Sequence, residues 1–317
     1  MSDHLALELG RQMHELIGDL APQARSRLLL DYEDPRRRDW HYVPRQRPGL
    51  ALSAMGPACR DRLWRLLTVF LSEDGVAKAR NVLAVERILG QIEKRPEYRD
   101  PENYALVVFG RPNGNAPWSF RFEGHHLSLN VSVTSDGDLA VTPCFFGSNP
   151  AVLPAGHDHR PQEMMASERS LAFELIRDLS DEERSRTLLR SDTFGDILTG
   201  PGRERSLGAK EGIDATALSD GQRDLLDRLV VSFTRHLEPT LAERARSFGQ
   251  DLAFAWAGAL SDTAPHYFRI SGPRMVIEYD NTQDGANHVH TVWHDPVELF
   301  GDDRLKHHHE TDHPAST

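Results

Sequence analysis

The spacing of apolar residues divides the chain into helical and extended stretches before any residue is given a role. Leu5, Leu9, Met13, Leu16 and Leu20 recur at steps of three and four, which puts them on one helical stripe with charged residues opposite. A Pro- and Arg-rich passage at 34–49, DPRRRDWHYVPRQRPG, cannot continue a helix and is expected to run extended across the body. Two more helices are predicted, one with Leu63, Leu66, Leu67 and Phe70, the next with Val76, Val82, Val85, Leu89 and Ile92 after a break at Ser72. From about residue 103 the period changes to 2. Residues 104–110 and 117–122 read as strands, and 126–146 alternates on both sides of Asp136-Gly137, a dipeptide suited to a tight hairpin.

Helical patterning returns at 168–179, and Ser180–Glu183 and Ser219–Gln222 are capping boxes. The second opens an amphipathic helix with Leu225, Leu226, Leu229, Val230 and Phe233, and two shorter helical pieces are expected up to about Gly258. Between 191 and 215 the composition is Gly-, Asp- and Arg-rich without period, as in a loop or lid. Strands resume at 266–271, 274–280 and 287–294. Two strand groups separated by helices are joined most simply in a single α+β domain over 1–309, followed by a polar tail at 310–317. Its largely antiparallel sheet is completed by the C-terminal strands, with helices of the N-terminal and middle sections packed on it.

Composition narrows the function. The 317 residues carry 37 Lys plus Arg against 48 Asp plus Glu, a formal charge of −11, so a footprint for nucleic acid or anionic lipid is missing. The first twenty residues hold no continuous apolar stretch, so neither a signal peptide nor a membrane span is expected, and the location expected is the cytoplasm. Two cysteines, Cys59 and Cys144, make neither a disulfide framework nor a thiolate zinc site. Gly-rich phosphate loops and the GxSxG elbow are absent. Sixteen histidines stand out.

In Asn287-His288-Val289-His290-Thr291-Val292-Trp293-His294, strand alternation puts His288 and His290 on one face about 7 Å apart at the backbone, a bidentate grip for one ion. His294 shares that parity but lies about 13 Å from His290, a neighbour rather than a third ligand. In Glu123-Gly124-His125-His126-Leu127-Ser128-Leu129-Asn130, alternation separates the two histidines and leaves His126 on the polar face with Ser128 and Asn130. Both can serve one ion only if Gly124 marks a bulge or strand start that turns them together. Glu123 and Glu278 are the carboxylates proposed as general base, with Asp280 also available, although Glu278 has the parity to pair with Arg274 instead. His157 and His159 form a second HxH in a loop, read as solvated.

PWSFRFEGHHLSLNVSV with TPCFFGSNPA, and RISGPRMVIEYDNTQ with NHVHTVWHDP and a late FG, resemble the bacterial and fungal family catalogued as domain of unknown function 3500. The N-terminal WHYVPRQRPGLAL and LSEDGVAKARNVLAVERILGQIE extend the resemblance over roughly 25–309. It implies that the motifs at 124–130 and at Asn287, His288, His290 and Trp293 belong together and that His308 is the family's late histidine. His294 stands where the family pattern has Arg, and His309 where it has Tyr.

The expected function is a metal-dependent enzyme acting on a small organic molecule. His126, His288 and His290, with His125 or His308, would hold a divalent ion, with Ser128, Asn130, Trp293 and His294 toward substrate. Water activation, as in a hydrolase, is preferred. Imidazole ligands suit zinc, iron and copper, so oxygen chemistry is an alternative, as are a non-catalytic binding module and purely structural histidines.

Overall fold

The computed structural model describes residues 2–112 and 116–302. Its helices are α1 (Ser2–Gly18), α2 (Pro22–Leu28), α3 (Pro57–Leu67), α4 (Glu73–Ile92), α5 (Ala166–Asp178), α6 (Asp181–Thr187), α7 (Asp220–Thr234), α8 (Pro239–Ser247) and the single turn α9 (Gln283–Ala286). The strands are β1 (Leu29–Leu30), β2 (Leu50–Ala51), β3 (Ala105–Phe109), β4 (Trp118–Gly124), β5 (Leu127–Val133), β6 (Leu139–Ala140) and β7 (Cys144–Ser148). They continue with β8 (Leu188–Arg190), β9 (Ile213–Asp214), β10 (Ala253–Gly258), β11 (His266–Gly272), β12 (Met275–Thr282) and β13 (His288–His294).

All thirteen strands form one sheet in the order β1-β3-β4-β5-β7-β13-β12-β11-β10-β8, with β2 beside β3, β6 beside β5 and β9 beside β10. Among the described residues only β1 with β3 and β8 with β10 run parallel. The fold is therefore α+β with a largely antiparallel sheet, and the β7–β13 pairing joins the two strand groups.

Alternation gives the sheet two different faces, and both are buried. One row across it reads Phe122, Leu129, Cys144, Trp293, Ile277, Ile270 and Phe254, and this face packs on the main hydrophobic cluster with α1, α3, α4, α5, α7 and α8. The adjacent row reads Glu123, Ser128, Phe145, Val292, Glu278, Arg269 and Ala255. That polar face is covered by irregular chain, with Trp40, Tyr42, Ile197, Leu299 and Phe300 gathered over Phe145 and Val292. Buried polar groups need partners, and the coverings supply them. Arg121 donates to the carbonyls of Arg36 and Arg37, and Glu278 accepts from the backbone N–H groups of Leu198 and Thr199 at 2.7 and 2.8 Å. The aperiodic 191–212 stretch is thus strapped onto the sheet.

The capping boxes at Ser180 and Ser219 form, and Ser72 caps α4. One expected helix is a strand. Between α7 and Gly258 the described residues form one helical piece, α8, rather than two, because in 253–258 the large residues Phe254 and Trp256 alternate with Ala253, Ala255 and Ala257 and fill the helix-packed side of β10. The polar tail and His308 lie outside the described residues. No helix among the described residues is long and apolar enough to cross a membrane.

Histidines also occupy the core. His294 is wholly buried at the far end of β13, neither ring nitrogen has a partner among the described residues, and burial pulls its pKa down to about 3. A folded-state pKa below the unfolded value means that the unfolded chain takes up the proton first, so this stability is intact above about pH 6.5 and is lost as the pH falls. Between pH 6.5 and 5 the loss is about 2 kcal/mol for such a group. His294→Phe should therefore remove about that much of the drop in urea stability between those pH values; identical pH slopes in the two proteins would refute this assignment.

Candidate metal centre

The two histidine motifs meet where β7 separates their strands. Gly124 pairs with Leu127, so His125 and His126 are the two residues of a tight turn between β4 and β5 rather than part of a strand. Strand alternation does not apply to them. The turn stacks the two rings, centroids 3.6 Å apart, but only His126 joins His288 and His290, while His125 turns to Glu86. His126 adopts φ 62°, a left-handed conformation that disfavours side chains, so the surroundings must hold it there. They do so at four points: Tyr104 Oη donates to the His125 carbonyl, Arg47 to Gly124 O at 2.9 Å, His126 N to Tyr42 O at 3.1 Å, and Gly147 N to His126 O at 2.8 Å. A Cβ on Gly124 would overlap the Tyr104 ring at 2.4 Å.

His288 and His290 project from β13 toward this turn as alternation predicts. Ring centroids lie 4.9 Å apart for His126 and His288, 5.3 Å for His126 and His290, 4.7 Å for His288 and His290, and 3.6 Å for His125 and His126. One nitrogen from each of His126, His288 and His290 lies within 4.8 Å of the others, a group that could hold a metal ion. A second such group, Glu86, His125 and His126, shares His126. The space for the rings comes from Gly147, which pairs with His290: a Cβ there would stand 2.8 Å from His126 Cδ2 and 3.1 Å from His290 Cδ2.

Carboxylates fix the ring orientations. His290 Nδ1 is 2.7 Å from Asp196, whose other oxygen accepts from Tyr42 Oη at 2.9 Å. His288 Nδ1 is 3.0 Å from Asp284, itself held by Asn149 at 2.9 Å. His125 Nδ1 is 2.5 Å from Glu86. With Nδ1 engaged, Nε2 is the nitrogen left to face an ion, the arrangement that commonly orients and strengthens metal-binding imidazoles. His126 Nε2 and His288 Nε2 are only 2.8 Å apart. Around an ion with bonds of about 2.1 Å in tetrahedral array they would separate to about 3.4 Å.

Charge states favour ligation. Burial, then the neighbouring His125 and other rings, holds the His126 pKa well below the usual imidazole value, and burial pulls His288 down to about 4. These rings are neutral at pH 7, as metal ligands must be. Burial likewise depresses His125 and pushes Glu86 up to about 8, so this pair shares one proton without net charge. Arg99, clamped by Glu93, lies 3.2 Å from a His125 ring nitrogen. Burial raises Asp280 to about 6; it stands opposite His290, held by Thr282.

The remaining predicted residues lie elsewhere on the sheet. Glu123 is 3.0 Å from Arg121, 3.7 Å from Arg47 and accepts from His41 N at 3.0 Å. Glu278 is surrounded by Leu198, Thr199 and Tyr267 Oη, while Arg274 pairs with Asp295 and Glu298 instead. Ser128 and Asn130 are buried and bonded to each other at 3.2 Å, and Asn130 also donates to Pro143 O. Trp293 points to the helix-packed face, and His294 is sealed below the polar one. His157 and His159 sit in the loop between β7 and α5. Cys144 is a free thiol that burial pushes up to about 12.

Residues 5–302 match the family described as protein of unknown function, DUF3500. The chain belongs to this family. Both histidine motifs and all three orienting carboxylates fall within the match. No curated protein and no solved structure matches the chain.

Gly147 is the most economical place to test the geometry. Gly147→Ala should leave the far-ultraviolet circular dichroism unchanged and lower affinity for added Zn²⁺ by about 10- to 100-fold, the scale of disturbing the groups around metal ligands. Unchanged affinity would mean that the rings do not meet over this residue.

Proposed function

We propose that this protein is a metal-dependent enzyme acting on a small organic molecule, with one divalent ion held by His126, His288 and His290. The observation that carries this reading is the set of inward-turned imidazoles whose outer nitrogens rest on Asp196 and Asp284. Three protein ligands leave at least one position for water or substrate, the pattern of catalytic rather than structural sites. The His288 side chain retains 12% exposure, so the group is not sealed.

The preferred chemistry is hydrolytic: a bound ion lowers the pKa of water, and a nearby carboxylate accepts its proton. Glu86 is better placed for that role than Glu123 or Glu278, and it fills it in its ionised form, which prevails above about pH 8. It is grouped with His125 and His126, whereas the other two carboxylates are consumed by arginines or by the strap over the sheet. A donor set of three imidazoles also accepts iron or copper, so the metal itself separates hydrolysis from oxygen chemistry.

Untagged protein analysed by plasma mass spectrometry should carry about one zinc, iron or copper ion per chain. The double variant His288→Ala/His290→Ala should lose it while remaining folded. Zinc would support hydrolysis, and iron or copper with oxygen uptake would support the oxidative alternative. Absence of stoichiometric metal together with unchanged metal uptake by the double variant would overturn the proposal.

A further inference from the structure

A cavity of about 960 Å³ has Glu86 and His125 in its wall; His126, His288 and His290 do not line it, but the His125 ring that does lies 3.6 Å, centroid to centroid, from that of His126. This volume lies at the upper end for small-molecule sites. Glu86, Tyr104 and His125 are buried, whereas Arg27, Arg36 and Arg45 are exposed, so the arginines mark the mouth and the Glu86–His125 pair the floor. Arg47 lines the passage between them, its side chain only 2% exposed.

Four arginines around one cavity are unexpected in a chain of net charge −11. Arg36 and Arg45 are each held by one aspartate, Asp34 and Asp39, while Arg27 makes no ion pair among the described residues. Glu97 and Asp100 are the other acids of the lining, and Asp100 is occupied by the backbone N–H of Glu102. Guanidinium groups offer planar pairs of N–H donors that match a carboxylate, and cationic groups at a cleft mouth concentrate anions there.

We infer that this cavity is the substrate chamber of the proposed metal site, adjoining it through Glu86 and His125, which group with the ligand His126, and that its substrate carries a carboxylate bound by Arg27 and Arg45 at the mouth while the reacting end lies at Glu86 and His125. Tyr98 and Tyr104 give the chamber aromatic surface, and Asn103, Ser26 and Ser53 give it hydrogen-bonding groups. The substrate is thus a mixed polar and apolar organic acid. This inference rests on the metal-site reading for its chemistry but not for its binding.

The test uses matched acids and amides, succinate against succinamide and benzoate against benzamide, with inorganic phosphate as a separate arm, by calorimetry at low salt. At least one acid should bind tenfold or more tighter than its amide, and Arg27→Gln/Arg45→Gln should abolish that preference. The preference should persist in His288→Ala/His290→Ala, so that loss of metal and loss of anion binding are read separately. If no acid exceeds its amide, if the arginine variant behaves as wild type, or if phosphate alone binds, the carboxylate chamber is wrong even where the metal site stands.

Discussion

The turn at His125-His126, forced against a glycine of the neighbouring strand, is the constraint on which the rest of the site depends. Without a Cβ on Gly147 the His126 ring can lie across β7 and reach His288 and His290 on the next strand. A left-handed residue costs on the order of 1–2 kcal/mol, and the bonds to Tyr42, Tyr104, Arg47 and Gly147 offset that cost. Tyr42 and Arg47 come from the N-terminal passage, Tyr104 from the residue that precedes β3, and Gly147 from β7. The site therefore forms only when the sheet and its polar covering are both in place.

That covering supplies partners for a sheet whose two faces are both buried. The helix-packed side is an ordinary apolar core, but the other side buries Arg121, Glu123, Glu278, Arg269 and Asp280. Asp280 is held by Thr282 of its own strand, and the other four are matched to backbone or to an opposite charge from the 34–49 or 191–212 segments, as with Glu278 under Leu198 and Thr199. Such a layer contributes little net stability, because desolvation opposes the pairing. What it supplies is fixed geometry: Asp196 in the strap orients His290, and Tyr42 in the N-terminal passage orients Asp196.

Periodicity made much of this legible. The i, i+2 spacing of His288 and His290 placed both rings on one face, and the capping boxes marked helix starts because their hydrogen bonds are local. Alternation misplaced His125 and His126 because it presumes a strand, and the Gly124-His-His run is a turn. Gly147, in CFFGS, was the available clue to a close approach across β7. Glu86 left a fainter mark: it falls in the buried stripe of α4 with Val82, Val85 and Leu89, where a carboxylate needs a reason. Asp196 left none, since it lies in an aperiodic loop whose position is set by tertiary bonds. In the Ala-rich strand β10 alanine favours helix locally, and its alternation with Phe254 and Trp256 matters only once the sheet exists.

The central claim is that one cation sits among three imidazoles, not merely that the protein takes up metal. Anomalous diffraction at the absorption edge of the bound metal tests this most directly. The account predicts a single strong peak about 2.1 Å from a nitrogen of each of His126, His288 and His290. A peak elsewhere, or none at this cluster in protein that carries stoichiometric metal, would contradict it.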